Sequence, residues 1–259
     1  MKRTWQNRMT VRFRMRRWGN QVLNVLYPDQ RNYCLLCQRP VTARAAKEEA
    51  TALQSVCLFC LQDAMVLDNG MRLRTIPLQT KTGLAPISVV SCRPYQGIVK
   101  TALRQWKSDG QLEWTDLFSG WLVTALAANA KQSPNDDRAA VIVPVPTSPS
   151  RFQKRGYDHV GLLAGALSVA LGIPLVPWLE KVDYAGEFTQ SQTAKTARQR
   201  RASLRGTIQI APQPGVDCAG VVLLVDDIVT TGSTLAACTE VLYEAGARRV
   251  TAAVIADVE

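Results

Sequence analysis

The sequence predicts an α/β protein with a parallel sheet, preceded by a small module that contains cysteine pairs. Apolar stretches at 140–145, 220–225 and 249–256 predict buried strands. Helical patterns lie between them, as in βαβ units, which pair their strands in parallel. Two C-x2-C pairs before residue 61 predict the module. With 259 residues and 47% apolar content, the chain can form one domain with a real core plus this module.

Residues 1–28 form a basic segment without an acidic side chain, in which Trp5, Phe13 and Trp18 are interleaved. Such an arm can contact phosphates while its rings stack on bases, or it can be a solvated leader. It lacks the apolar core of a secretory signal, and no run of about 18 apolar residues predicts a transmembrane helix. The net charge of +10 favours an anionic partner, such as nucleic acid or an acidic membrane surface.

The cysteine pairs are spaced as in structural zinc sites. Cys34 and Cys37 form one C-x2-C knuckle, and Cys57 and Cys60 form the other. Two knuckles supply four thiolates for a tetrahedral Zn2+, and they leave no open position for catalysis. Two disulfides or a redox C-x-x-C pair are the alternatives. A reducing cytosol disfavours the disulfides, and no thioredoxin-like unit lies nearby.

Residues 88–107 predict a strand at 88–91 and an amphipathic helix over 95–107. Trp106 falls on the apolar face of this helix, and Lys107 falls on a basic face. We interpret the pattern as a surface helix whose basic face contacts solvent.

The strand at 140–146 is followed by a basic loop that contains Lys154 and Arg155. Open α/β sheets bind ligands at the carboxyl ends of their strands, so we expect this loop to meet a phosphate group. A helix is predicted over 158–171. His159, the only histidine, lies in its first turn, where the helix dipole disfavours the positive form, and we assign it a structural or incidental role.

A strand, a polar turn and a helix follow one another over 221–247. The predicted strand ends at Val225, and Gly246 ends the helix. Backbone N–H groups of such a turn and of the helix N-terminus point at one spot and favour an anion. An ordinary strand-to-helix turn with Thr and Ser caps is the alternative. The predicted phosphate cradle consists of Thr230, Thr231, Gly232, Ser233 and Thr234.

Asp226 and Asp227 stand between this strand and the turn. Carboxylates do not bind phosphate, but at the end of a parallel strand they can accept hydrogen bonds from vicinal sugar hydroxyls. They can also help to hold a divalent cation. Beside a phosphate cradle, the pair therefore predicts a 5-phosphorylated ribose as the ligand.

A second basic segment, at 189–205, contains no acid and few hydrophobic residues. It predicts a mobile polar loop or a short helix over the site. Its charge suits a lid that meets pyrophosphate or a strip that meets a nucleic-acid backbone, and a merely solvated loop is the alternative. The candidate nucleic-acid residues are Lys195, Arg198, Arg200 and Arg201.

The stretch 225–234 closely resembles the loop with which type I phosphoribosyltransferases bind 5-phosphoribosyl 1-pyrophosphate (PRPP). The resemblance implies that Asp226 and Asp227 contact the ribose hydroxyls while the turn wraps the 5′-phosphate. In an active transferase, Lys154 and Arg155 would meet the pyrophosphate, so Asp226, Asp227 and Arg155 are the candidate catalytic residues. The implied fold is the type I phosphoribosyltransferase-like parallel sheet with flanking helices.

The order of motifs along the chain resembles the ComF family of competence proteins, which includes the GntX-like proteins. The cysteine pairs come first, then Val143-Pro-Val-Pro, then Arg155-Gly-Tyr, and finally the PRPP-type loop. We expect a basic N-terminal arm at 1–28, a four-cysteine zinc-binding module at 29–80 and a phosphoribosyltransferase-like domain at 81–259.

The resemblance implies DNA uptake during natural transformation, in the cytoplasm or at the inner face of the membrane. The implied partners are single-stranded DNA, PRPP and a ComFA-like helicase or ATPase. The implied ions are structural Zn2+ and Mg2+ bound with PRPP. An active Mg2+-dependent phosphoribosyltransferase is the alternative, and a PRPP-sensing regulator that binds duplex DNA is a third hypothesis.

Overall fold

The structure is a computed structural model that describes residues 33–34, 36–37, 39, 56–57, 59–60, 62, 71–80, 83–84, 86–132, 138–182, 206–211 and 220–258. The chain divides into two compact units, Met1–Val66 and Leu67–Glu259. The basic segments at 1–28 and 189–205 lie outside the described residues. The nucleic-acid contacts proposed for the second segment therefore stay predictions. They concern Lys195, Arg198, Arg200 and Arg201.

The second unit is built around a five-stranded sheet. Its described strands, with two short pairs beside the sheet, are β1 (Arg72–Ile76), β2 (Gln79–Thr80), β3 (Gly83–Leu84), β4 (Ile87–Pro94), β5 (Val141–Pro144), β6 (Leu179–Lys181), β7 (Ile208–Ile210), β8 (Val221–Val229) and β9 (Arg249–Asp257). The strand order in the sheet is β1-β4-β9-β8-β5. The last four strands in that order pair in parallel, which confirms the predicted parallel sheet.

Strand β1 precedes residue 81, the predicted start of the phosphoribosyltransferase-like domain. It nevertheless pairs antiparallel with β4 along its whole length, from Arg72 opposite Ser91 to Ile76 opposite Ile87. Residues 72–76 therefore belong to the sheet, and the two compact units divide between Val66 and Leu67.

The described helices are α1 (Gly97–Ser108), α2 (Trp114–Gln132), α3 (Pro149–Arg155), α4 (His159–Leu171) and α5 (Ser233–Glu244). No prediction from the sequence covers α2, and the prediction of a loop in place of α3 is wrong. The α3 helix forms because the Ser148 hydroxyl accepts from the Arg151 N–H, Pro149 suits the first helical position, and Gly156 ends the helix at a φ of 73°. None of the described helices has the length and apolar character that a membrane crossing needs.

The sheet is covered on its faces by different elements. Apolar residues of β5, β8 and β9 form one cluster with α5, β6 and β7, as shown by Val143, Leu224, Val254 and Leu235. Helices α2 and α4 contact each other, and they contact β4 and β5 respectively. Apolar neighbours cover the central strands, so these strands have continuous apolar sequences. Such sequences are easy to recognise, and the strands are therefore predicted well.

Candidate functional site

The carboxyl ends of β8 and β9 carry the predicted phosphate cradle. Strand β8 runs past the predicted end at Val225 to Val229, so Asp226 and Asp227 lie within the paired part of the strand. The turn then leads directly into α5, which begins at Ser233. The strand, turn and helix therefore follow one another as predicted, with the strand longer than the sequence indicates.

The turn has a shape that requires glycine at its centre. Gly232 is the N-cap of α5 with a φ of 72°, and a Cβ at this position would clash with the Ile76 side chain. The Thr231 and Ser233 hydroxyl oxygens lie 2.9 Å apart, and the Ser233 N–H donates to the Thr231 hydroxyl oxygen at 3.4 Å. The turn thus brings small hydroxyl side chains to the N-terminus of a 12-residue helix, an arrangement that favours a phosphate group.

Arg74 attaches this turn to the neighbouring strands. Its Nη1 donates to the Thr230 carbonyl oxygen and to Asp257 Oδ1, each at 2.9 Å. The Val258 N–H also donates to the Val229 carbonyl oxygen at 2.9 Å. These bonds tie the start of the turn to the middle of β1 and to the end of β9, and nothing in the local sequence around residue 74 indicates them.

Asp226 is buried, and its Oδ1 accepts a hydrogen bond from the Asp227 N–H at 2.8 Å. Burial, together with the charge of Asp227, raises the pKa of Asp226 to about 8. The Asp226 carboxyl therefore holds its proton under conditions in which an exposed aspartate is ionised.

Asp227 is ionised because cationic and donor groups surround it. Lys107 Nζ lies 2.8 Å from Asp227 Oδ2, and His159 Nε2 lies 2.7 Å from the same oxygen. Burial alone would raise the pKa of Asp227, but Lys107 and then His159 hold it well below its ordinary range. The two neighbouring carboxyls thus differ in charge.

His159 connects Asp227 to the basic residue that follows β5. Arg155 Nη1 lies 3.2 Å from His159 Nδ1. A guanidinium only donates, so Nδ1 accepts, and the ring carries its proton on Nε2, which donates to Asp227. The predicted structural or incidental role does not describe His159 fully. Its buried ring contacts two candidate site residues, Arg155 and Asp227. Lys154, also a candidate, is exposed on α3.

Lys107 is held against the site by the end of α1. The Tyr157 hydroxyl donates to the Trp106 carbonyl oxygen at 2.7 Å, and the Trp106 and His159 ring centroids lie 5.0 Å apart. Burial raises the pKa of Tyr157 and keeps its hydroxyl a donor. The prediction that Lys107 faces solvent is wrong, because its contact with Asp227 joins residues that are distant in the sequence.

The four cysteines of the first unit come together as the spacing predicts. Their sulfur atoms all lie within 4.8 Å of one another, and Cys37 Sγ lies 3.7 Å from Cys57 Sγ. Tetrahedral zinc with Zn–S bonds of about 2.3 Å needs sulfur separations of about 3.8 Å, so the cluster fits Zn2+. Burial would raise the pKa of Cys34, but N–H groups of Cys37 and Cys57 lower it to about 7, whereas burial and the neighbouring cysteines raise the pKa of Cys60. The four residues that would hold the ion are Cys34, Cys37, Cys57 and Cys60.

The strand, turn and helix of the site lie in a part of the chain that matches a known domain family. Residues 161–259 match the family model described as "Phosphoribosyl transferase domain", and this range contains β8, the polar turn and α5. With the parallel sheet and its flanking helices, the match confirms the predicted type I phosphoribosyltransferase-like fold.

Two curated relatives of similar sequence are competence proteins. The chain is 29% identical over 148 residues to "Competence protein F" of Haemophilus influenzae, covering 57% of this chain and 63% of that protein. It is 27% identical over 157 residues to "Competence protein ComFC" of Streptococcus pneumoniae, covering 60% of this chain and 62% of that protein. The match therefore spans less than two thirds of each relative's length. The resemblance to the ComF family is confirmed by these matches.

A solved structure of adenine phosphoribosyltransferase from Saccharomyces cerevisiae is also similar. Its sequence is 16% identical, and the alignment covers 77% of this chain and 89% of that chain. The TM-score is 0.36.

Proposed function

We propose that this protein binds PRPP or a related ribose phosphate and handles incoming single-stranded DNA during natural transformation. The observation that supports the ligand is the placement of the turn 230–234 beside Asp226 and Asp227 at the carboxyl edge of the sheet. The carboxyl groups of Asp226 and Asp227 and the N–H groups at the start of α5 then belong to one strand-turn-helix unit, where a sugar and its phosphate could bind together.

In this proposal each end of the site has a separate task. The turn from Thr230 to Thr234 holds the 5′-phosphate, and the Asp226–Asp227 pair binds the ribose hydroxyls. Arg155 and the exposed Lys154 follow β5 on the same edge of the sheet and meet the pyrophosphate. Arginine suits this task because its planar fork binds phosphate oxygens in pairs.

The DNA part of the proposal is supported by the names of the relatives and by the basic charge of the chain. Both relatives are named competence proteins. The net charge is +10, and the basic segments at 1–28 and 189–205 would contact the backbone without reading sequence. We propose a ComFA-like helicase or ATPase as the partner, with the protein in the cytoplasm and near the inner face of the membrane.

An active phosphoribosyltransferase is the second candidate, and the match to that domain over 161–259 favours it. A nucleophile would attack the anomeric carbon of PRPP, and pyrophosphate would leave with the electrons of the broken C–O bond. Arg155 would stabilise the leaving group, and Mg2+ would travel with the pyrophosphate of PRPP.

Binding assays with PRPP and a single-stranded oligonucleotide test the main proposal. We expect PRPP to bind, and we expect Asp227→Asn to weaken that binding about tenfold or more, because the ribose loses a charged acceptor. We expect the oligonucleotide to bind at low salt and to dissociate as salt rises. Adding PRPP to the bound oligonucleotide shows whether the two share a site.

The DNA part and the PRPP part of the proposal are contradicted by different results. No oligonucleotide binding at low salt contradicts DNA handling, as does unchanged binding after Arg198, Arg200 and Arg201 are replaced by Ala. Absence of PRPP binding contradicts the ligand assignment. Release of pyrophosphate from PRPP with an acceptor, lost in Asp227→Asn, would instead establish the transferase.

A further inference from the structure

The ribose end of the site already contains a fixed cation. Lys107 Nζ and His159 Nε2 both contact Asp227 Oδ2, at 2.8 Å and 2.7 Å. The Lys107 side chain is only 22% exposed, and Tyr157 anchors the adjacent carbonyl of Trp106. The lysine is therefore a positioned part of the site and not a mobile surface group.

This arrangement does not fit a divalent cation bound directly by the acidic pair. Mg2+ needs near-octahedral oxygen ligands, and it usually binds one or two carboxylates together with substrate phosphates. Here one oxygen of Asp227 already has an ammonium and an imidazole N–H, while Asp226 is buried and accepts from the backbone. A Mg2+ at Asp227 would have to displace the ammonium or lie next to it.

We propose that Lys107 is the internal cation of the ribose end of this site, so that ribose 5-phosphates bind there without a divalent metal. The proposal rests on the ribose-phosphate site proposed above. It limits the need for Mg2+ to ligands that carry a pyrophosphate, whose own oxygens can hold the ion.

Charge balance gives the physical reason. An anionic ligand that approaches an unpaired, partly buried carboxylate is repelled, and a bound metal ion is one way to remove this repulsion. Here the ammonium of Lys107 neutralises Asp227, and Arg155 adds positive charge through its contact with His159. The helix N-terminus beyond Gly232 adds partial positive charge at the phosphate end.

Calorimetric titration with ribose 5-phosphate, in EDTA and in Mg2+, tests the proposal. For the unaltered protein we expect dissociation constants that agree within about twofold in the two buffers. We expect Lys107→Met to weaken binding about tenfold or more in EDTA, with part of the loss recovered in Mg2+. The matched control is Lys100→Met, which removes an exposed lysine from the same helix. We expect this variant to bind ribose 5-phosphate as the unaltered protein does.

The outcomes separate this proposal from the one on which it rests. If PRPP binds in Mg2+ but ribose 5-phosphate fails to bind the unaltered protein in EDTA, the internal-cation role is overturned and the ribose-phosphate site stands. The internal-cation role is also overturned if Lys107→Met binds ribose 5-phosphate as Lys100→Met does. If neither ligand binds in either buffer, the site assignment itself fails. The comparison of buffers needs no variant, so binding that requires Mg2+ would overturn the proposal even if Lys107→Met does not fold.

Discussion

Asp226 and Asp227 are adjacent in the chain, but their surroundings give them opposite properties. Asp226 is enclosed and has a raised pKa, whereas Asp227 has Lys107 and His159 at one oxygen and a depressed pKa. Successive residues of a strand point to opposite sides, so each carboxyl meets a different set of neighbours. Asp227 is therefore the charged member of the pair and contacts Lys107 and His159, whereas Asp226 is a buried, neutral hydrogen-bonding group.

The raised pKa of Asp226 predicts how stability changes with pH. In the unfolded chain this carboxyl loses its proton near 3.8, whereas in the folded protein it holds the proton up to about 8. The folded state binds more protons between these values, so this group lowers the free energy of unfolding as pH rises through that window. Asp226→Asn removes the effect and keeps the acceptor for the Asp227 N–H. We expect the variant to lose less stability than the unaltered protein between about pH 5 and about pH 8 in thermal unfolding.

Asp227→Asn serves as the contrast for this experiment. The pKa of Asp227 is depressed, so its contribution to stability is present above its unfolded value of 3.8 and is lost as pH falls below it. Removing it changes the acid side of the profile instead. Parallel stability curves for Asp226→Asn and the unaltered protein would contradict the assignment of a protonated Asp226.

At the scale of elements, the sequence shows which segments form strands and helices more clearly than where they end. Strand β8 continues to Val229 because β9 lies beside it and pairs with it as far as Asp257. A pattern of apolar residues cannot show this, since Asp226 and Asp227 interrupt the pattern while the backbone pairing continues. Helix α3 has no apolar pattern because its residues are polar or exposed. The signal that could have predicted it is its capping, by Ser148 at the start and Gly156 at the end.

The contact of Arg74 with the turn predicts that strand β1 restrains the backbone of residues 230–234. Arg74→Met removes both hydrogen bonds of Nη1, so we expect faster amide hydrogen exchange in the turn 230–234. Global stability should change by about 1 kcal/mol or less, because the Arg74 side chain is 38% exposed and such ion pairs are weak. Leu73→Met, at an exposed position on the same strand, is the control. Exchange that is equal in the two variants would show that Arg74 does not hold the turn.

At the scale of the whole molecule, the two units have different sources of stability. The second unit contains a sheet with an apolar core, whereas the described residues of the first unit centre on four cysteines. Small modules of this kind gain much of their folding free energy from the bound ion. The first unit should therefore depend on metal in a way that the second does not.

Metal analysis checks this dependence. We expect about one zinc per chain, and we expect Cys57→Ser to lose it because four thiolates complete the tetrahedron. Cys92→Ser is the matched control, since Cys92 is a buried cysteine on β4 in the other unit, and this variant should keep the zinc. Purified, folded protein without zinc would refute the assignment.

The parallel sheet, the strand-turn-helix cradle and the cysteine cluster can be predicted from the sequence alone, because each depends on residues that are close in the chain or follow a fixed spacing. Apolar runs mark buried strands, glycine and hydroxyl residues mark the turn, and C-x2-C pairs mark the knuckles. The charge state and the partners of Asp227 depend instead on the folding of the chain. Lys107 and His159 reach it from separate helices, and a sequence pattern does not show which side chains converge when a sheet brings distant segments to one edge.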